Sequence, residues 1–283
     1  MKSISLNAPA KINLSLDILG KLPNGYHSVK MIMQTIPLFD TVKIEASSGS
    51  GIEIICGKEG VPTDNKNSAY KGAELFLEKA NISSKITITL NKKIPAAAGM
   101  AGGSTDAAAV LKGLNELFDY PLSEKEILEL CLKIGADVPF CYIGGCALSE
   151  GIGEVLTPLS PLENAYIVIA KPDFEVSTAW VYQNFKMENV SRHPDTETVI
   201  SAIKNGDLNE LSKSTSNVLE TVTEKEYPII TEYKNILKEK GALLSMMSGS
   251  GPTVFGIFDD LTSAENAYKE MQNLTKDSFL LKI

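Results

Sequence analysis

Apolar side chains alternate along the first stretch of the chain: Ile4, Leu6, Ile12, Leu14, Leu16 and Ile18 all fall on even positions. A two-residue period predicts extended chain, interrupted at Ala8-Pro9-Ala10, and sends Lys11 to the face opposite Ile12 and Leu14. Pro23-Asn24-Gly25 is a turn signal, with Tyr26-His27 directly after it. Residues 31–38 and 41–46 predict two further strands, and residues 67–80, with Ala69, Ala73, Leu75, Phe76 and Leu77, predict a helix. Ser123-Glu124-Lys125-Glu126 is a capping box opening a helix that runs to Ile134, with Gly135 as its stop. Residues 146–159 read as a pair of strands around Gly151-Ile152-Gly153. The second half adds a strand at 165–170, helical stretches, a strand at 254–258, an amphipathic helix at 263–274 and a last strand at 279–283. Strands and helices are intermixed, so the fold class is α+β in two layers.

One segment carries a different signal. Residues 85–94 alternate as a strand does and Ala107 to Leu111 favour helix. Between them lies Pro95-Ala96-Ala97-Ala98-Gly99-Met100-Ala101-Gly102-Gly103-Ser104-Thr105, made almost wholly of small side chains. Ser104 is the expected N-cap of the helix. Small side chains let a backbone approach a polyphosphate, and the first N–H groups of a helix lack intrahelical acceptors and carry the positive end of its dipole. The loop is not a Walker A sequence, since no Gly-Lys-Ser/Thr follows a glycine at the required spacing. Alanine disfavours positive φ, so with Ala96, Ala97 and Ala98 in the loop the phosphate contacts are expected from Gly99, Gly102, Gly103 and the helix start.

At 283 residues the chain is long enough for two domains, and Pro158 to Pro161 marks a boundary between an N-terminal domain, 1–159, and a C-terminal domain, 160–283. A net charge of −8 argues against a nucleic-acid partner, because a sequence-independent surface needs clustered Lys and Arg to neutralise phosphates. No apolar run reaches the roughly 18 to 20 residues of a membrane span, and the first nineteen residues, with Lys11 and Asp17 inside them, do not resemble a secretory signal. A cytoplasmic location is expected. Cys56, Cys131, Cys141 and Cys146 form no Cys-x-x-Cys pair and read as free thiols. No heptad or sustained apolar stripe indicates an oligomeric state.

A nucleotide on the loop would need a group to position and deprotonate an acceptor. Phosphoryl transfer asks mainly for placement and charge stabilisation, with a carboxylate near the attacking hydroxyl and cations near the transferred group. Asp137, just past a helix end and fixed by Pro139, and Lys11 are the two candidates.

Three segments, Pro9-Ala10-Lys11-Ile12-Asn13, the loop 95–105 and Ser248-Gly249-Ser250-Gly251-Pro252, resemble in this order the signature segments of the GHMP small-molecule kinases. Within that family Lys11-Ile12-Asn13-Leu14, Gly25-Tyr26-His27 and Gly135-Ala136-Asp137-Val138-Pro139 resemble the branch that phosphorylates a cytidine diphosphate derivative of methylerythritol on its 2-hydroxyl, in non-mevalonate isoprenoid synthesis. The likeness is strongest before Pro158 and thin between Phe185 and Lys240. It implies a mixed α/β N-terminal domain and a ferredoxin-like C-terminal domain, with ATP and substrate meeting between them. It also implies that Asp137 is the base, Lys11 its cationic partner, and Pro95 to Thr105 the cradle for the ATP phosphates, with Ser104 or Thr105 near magnesium. Asn67, Ser68 and Lys92 match positions around adenine, while Asn13, Tyr26, His27 and Tyr182 match positions around the cytidyl acceptor, Tyr26 and Tyr182 on either side of the base. The alternatives are a kinase of the same family acting on homoserine or mevalonate, and a nucleotide-binding sensor without turnover.

Overall fold

The computed structural model describes residues 2–23 and 25–283. The chain forms two compact units interleaved in sequence. The first comprises Met1–Ala10, Leu38–Ala96 and Ala101–Gly144, the second Lys11–Pro37, Ala97–Met100 and Gly145–Ile283. Two long strands, β1 (Lys2–Lys21) and β2 (His27–Ser47), contribute residues to both.

The first unit also contains β3 (Gly51–Cys56), α1 (Ser68–Ala80), β4 (Lys85–Asn91), α2 (Gly102–Leu117), α3 (Glu124–Ile134) and α4 (Val138–Ile143). The far half of β2 pairs antiparallel with β4, Thr41 opposite Asn91, and β3 joins β4 in parallel. Val42, Ile44, Ile86 and Ile88 pack with Ala73 and Phe76 of α1 and Val110, Leu111 and Leu114 of α2 in one buried core. Gly113 lets α2 lie this close, since a Cβ there would stand 2.5 Å from Ile44 Cδ1 and 2.7 Å from Leu6 Cδ1. The capping box on α3 forms as expected, with Ser123 and Glu126 bonding each other's backbone N–H groups.

The second unit holds β5 (Cys146–Glu150), β6 (Val155–Leu159), β7 (Tyr166–Lys171), α5 (Thr178–Asn184), α6 (Thr196–Asn205), α7 (Leu208–Ser214), α8 (Glu220–Glu226), α9 (Ile229–Glu239), β8 (Leu244–Met247), β9 (Val254–Phe258), α10 (Leu261–Leu274) and β10 (Asp277–Lys282). β5 and β6 form the expected hairpin, and β5 pairs with β2. The remaining strands make an antiparallel sheet in the order β10-β7-β9-β8, covered by α9 and α10. Both helices present apolar residues at helical spacing, Ile230, Tyr233 and Leu237 on one, Ala264, Ala267 and Met271 on the other.

Two elements differ from the sequence reading. β1 runs without interruption through Ala8-Pro9-Ala10. Residues 31–38 and 41–46 belong to one strand, whose hydrogen-bond partner changes from β5 to β4, and Pro37, with no N–H to give, sits where the partner changes. The turn before Tyr26 is closed by Gly25 N–H donating to Leu22 O at 3.0 Å, while Asn24 lies outside the described residues.

Phe76 is fully buried and stacks on Phe118 at 6.3 Å between ring centres. Phe76→Ala is expected to cost about 3–5 kcal/mol in urea unfolding, the usual loss for emptying a buried aromatic site. A loss below about 1 kcal/mol would show that the first unit's core refills the space.

Candidate active site

The phosphate-type loop owes its form to φ angles that alternate in sign. Positive φ occurs at Ala97 (46°), Gly99 (69°) and Ala101 (60°), and not at Ala98 or Met100 between them. Such alternation turns successive N–H groups toward one side and makes a concavity for anions. The expectation that the alanines would avoid positive φ is therefore corrected at Ala97, and Ala101 adopts it too. Each left-handed alanine costs roughly 1–2 kcal/mol, so the surrounding structure must impose the shape.

Ala101, and not Ser104, is the N-cap of α2. Thr105 N–H is the first to close an intrahelical bond, to Ala101 O at 2.9 Å, which leaves the N–H groups of Gly102, Gly103 and Ser104 without an intrahelical acceptor. Ser104 is partly accessible, whereas Thr105 is 1% exposed and its Oγ1 is buried with no partner. α1 begins nearby: a Cβ on Gly103 would stand 3.8 Å from Ser68 Oγ. Asn67 caps α1, its Oδ1 accepting from Ala69 N and its Nδ2 donating to Pro62 O. Asn67, Ser68 and the start of α2 are thus brought together.

Lys92 is held in a buried ion-pair cluster. Its side chain is 6% exposed, its Nζ sits between Asp40 and Asp106, and it donates to Gly102 O at 3.2 Å. Burial by itself would lower the ammonium pKa, but the two carboxylates outweigh it and raise it. Asp106 is pushed up to about 7, first by desolvation, with Lys92 opposing and Asp40 adding to the rise. Asp137 is the N-cap residue of α4 yet makes no side-chain capping bond, and it is partly accessible.

In the second unit Lys11 is 4% exposed, and its Nζ donates to Asn13 Oδ1 at 2.7 Å and to Gly99 O at 3.1 Å. Gly99 O also accepts from Ser248 Oγ at 3.0 Å. Asn217 in turn donates from Nδ2 to Met247 O and Gly249 O, both at 2.8 Å, and Thr223 donates to Ser250 O. The lysine, the middle of the small-residue loop and the segment 248–252 are thereby one hydrogen-bonded assembly. Elsewhere in this unit His27 lies 5.4 Å from Tyr182 and 6.3 Å from Phe185, ring centre to ring centre, while Tyr26 is 60% exposed. Burial, and then Lys21, hold the His27 pKa below its ordinary value.

The model for the GHMP kinases N terminal domain matches residues 67–145, and that for the GHMP kinases C terminal matches 199–277. A 4-diphosphocytidyl-2-C-methyl-D-erythritol kinase from Acetivibrio thermocellus is 51% identical over 99% of this chain and 99% of its own. The chain belongs to this family of GHMP kinases. The enzyme of the same name from Alkaliphilus metalliredigens is 47% identical over 100% of this chain and 97% of its own. A crystal structure of 4-(cytidine 5'-diphospho)-2C-methyl-D-erythritol kinase superposes with a TM-score of 0.85 at 30% identity, covering 98% of each chain. The chain is therefore a small-molecule kinase, with ATP as the phosphoryl donor.

Sequence reading missed several partners of the candidate-site residues. Asp40 and Asp106 are 52 and 14 positions from Lys92, Asn217 is 30 from Met247, and no local pattern marks such partners. Phe185 was legible only as the apolar residue ending α5. No group of three or more His, Cys, Asp or Glu side chains among the described residues is placed to hold a metal. No helix among them is long and apolar enough to cross a membrane.

Gly99 has a positive φ, and a Cβ on it would stand 2.2 Å from Ser248 O, a backbone atom. Gly99→Ala is expected to lower kcat/KM by about 100-fold through displacement of the loop, with circular dichroism showing the fold intact. Wild-type activity would mean that the loop does not depend on this close approach.

Proposed function

We propose that this protein transfers the γ-phosphoryl group of ATP to the 2-hydroxyl of 4-diphosphocytidyl-2-C-methyl-D-erythritol, in the non-mevalonate route to isoprenoid precursors. The observation that carries the reading is the relative named for that acceptor, 51% identical from end to end. The site chemistry agrees with it. The N–H groups that open α2 supply fixed donors for phosphate oxygens. Asn67 and Ser68, beside that helix start, serve the adenosine portion.

In the transfer the acceptor oxygen forms a bond to the γ-phosphorus, the bond to the β-phosphate oxygen breaks, and ADP leaves. Asp137 takes the hydroxyl proton, which its partly accessible carboxylate can do. Lys11, rigidly held by Asn13 and Gly99 O, stabilises the developing charge. Asn13 fixes the lysine and Tyr26, His27 and Tyr182 form the cytosine site, with Phe185 supporting His27. A neutral imidazole offers one donor and one acceptor to a base edge.

Magnesium fits Ser104 better than Thr105, because only Ser104 is accessible; it would be held chiefly by the ATP phosphates and would offset their charge. The two-domain division at 159/160 and a cytoplasmic setting complete the proposal, the two family models falling on either side of that division.

ADP release with ATP and magnesium, compared across the cytidyl acceptor, homoserine and mevalonate, tests the assignment. Turnover is expected with the cytidyl compound alone, and turnover with another alcohol would overturn the acceptor. Asp137→Asn is expected to lower kcat by about 100-fold or more while the KM for ATP stays near wild type. An unchanged kcat would remove Asp137 from the reaction.

The cytosine site has its own signature. Tyr26→Ala is expected to raise the KM for the acceptor and not that for ATP, since stacking on a base contributes roughly 1–3 kcal/mol. With its pKa lowered by burial and by Lys21, His27 takes up a proton only at a lower pH than an ordinary imidazole does. Acceptor KM is therefore flat above neutrality and rises as the pH falls further, and a KM that falls instead would assign recognition to the charged imidazole.

A further inference from the structure

Three charged side chains beneath the start of α2 are buried together. Asp40 is wholly buried within β2, and Lys92 and Asp106 are 6% and 3% exposed. One oxygen of Asp40, Oδ1, accepts from Lys93 N and from Ile94 N at 2.8 Å, fixing the chain where it enters the small-residue loop. The other, Oδ2, holds Lys92 Nζ, and the same ammonium donates to Gly102 O, where the chain leaves the loop and α2 begins. Where a Cβ would be on Gly102, Ile94 Cγ2 lies 3.2 Å away and Lys92 Nζ 3.5 Å away, so entry and exit abut.

We propose that Asp40 is a positioning residue for the phosphoryl donor: with Lys92 it ties together both ends of the loop and so fixes the aim of the N–H groups of Gly102, Gly103 and Ser104. This inference rests on the reading that the loop holds the ATP phosphates. A buried ion pair with one member removed is destabilising, and its replacement by an apolar pair would often cost nothing, so stability alone is a weak reason for this arrangement. A brace is a better one. Ala97 and Ala101 stay in left-handed conformations only while the ends of the loop are fixed. Asp106 is the less committed member, since its Oδ1 is buried with no partner.

That difference supplies the test. In Asp40→Asn the single amide oxygen can serve the two backbone N–H groups or the ammonium, but not both, so one end of the loop is released. In Asp106→Asn the amide oxygen still accepts from Lys92 and the NH₂ replaces the unpartnered oxygen. Assayed well above pH 7, where Asp106 is ionised, both substitutions remove one carboxylate charge. Asp40→Asn is expected to raise the KM for ATP by about tenfold with the KM for the cytidyl acceptor unchanged, and Asp106→Asn to raise it by less than about threefold.

Gly103→Val, where a Cβ meets nothing closer than 3.8 Å, reports on the loop itself by covering its N–H groups. If Gly103→Val weakens ATP and Asp40→Asn does not, the brace is wrong while the phosphate loop stands. If Gly103→Val leaves the KM for ATP unchanged, the loop reading fails and the brace with it. Equal effects of the two asparagine variants, or an equal rise of both KM values in Asp40→Asn, would also overturn the proposal. Should Asp40→Asn not fold, Lys92→Gln, whose amide can donate to both carboxylates, decides by the same split between the two KM values.

Discussion

The carbonyl oxygen of Gly99 accepts from Lys11 and from Ser248, residues 88 and 149 positions away in the chain. Three segments that share nothing in sequence meet at this one acceptor, and its geometry excludes a side chain on the glycine that carries it. At the charged end of Lys11 this oxygen and Asn13 Oδ1 stand in for water. A buried ammonium without such acceptors would lose its proton or its place. Asn217, Thr223 and the backbone of residues 247–250 extend the same network outward.

β1 shows what burying function costs the fold. Its even face, Ile12, Leu14, Leu16 and Ile18, is an ordinary core face, but its odd face, Lys11, Asn13, Ser15 and Asp17, is buried as well and wholly polar. Polar groups out of water are tolerated where they are bonded, and most of these are: Lys11 to Asn13, Asp17 to His193 at 2.7 Å. Ser15 Oγ is buried with no partner. A strand chosen for stability alone would carry apolar side chains on both faces.

Elements set by near neighbours were legible. The capping box at Ser123, the β5-β6 hairpin, the helix after Asn67 and the amphipathic α10 depend on contacts within a few residues, which is why composition and period reveal them. The alternation in β1 was read correctly as well, although alternation cannot tell a buried polar face from a wet one. The misses have one physical origin. Ser104 is a better cap than Ala101 by intrinsic preference, and glycine suits positive φ better than Ala97, yet tertiary contacts overrode both.

By itself the sequence determined the α+β class, the small-residue loop ahead of a helix and the three signature segments, because each is a property of residue type and short spacing. Tertiary structure decided the rest. It placed Lys92 between Asp40 and Asp106, it gave Gly99 O its two donors, and it set the alternating φ of the loop. Those features are hydrogen bonds and ion pairs made across tens of residues, and their strength comes from burial, which no residue carries in its own type.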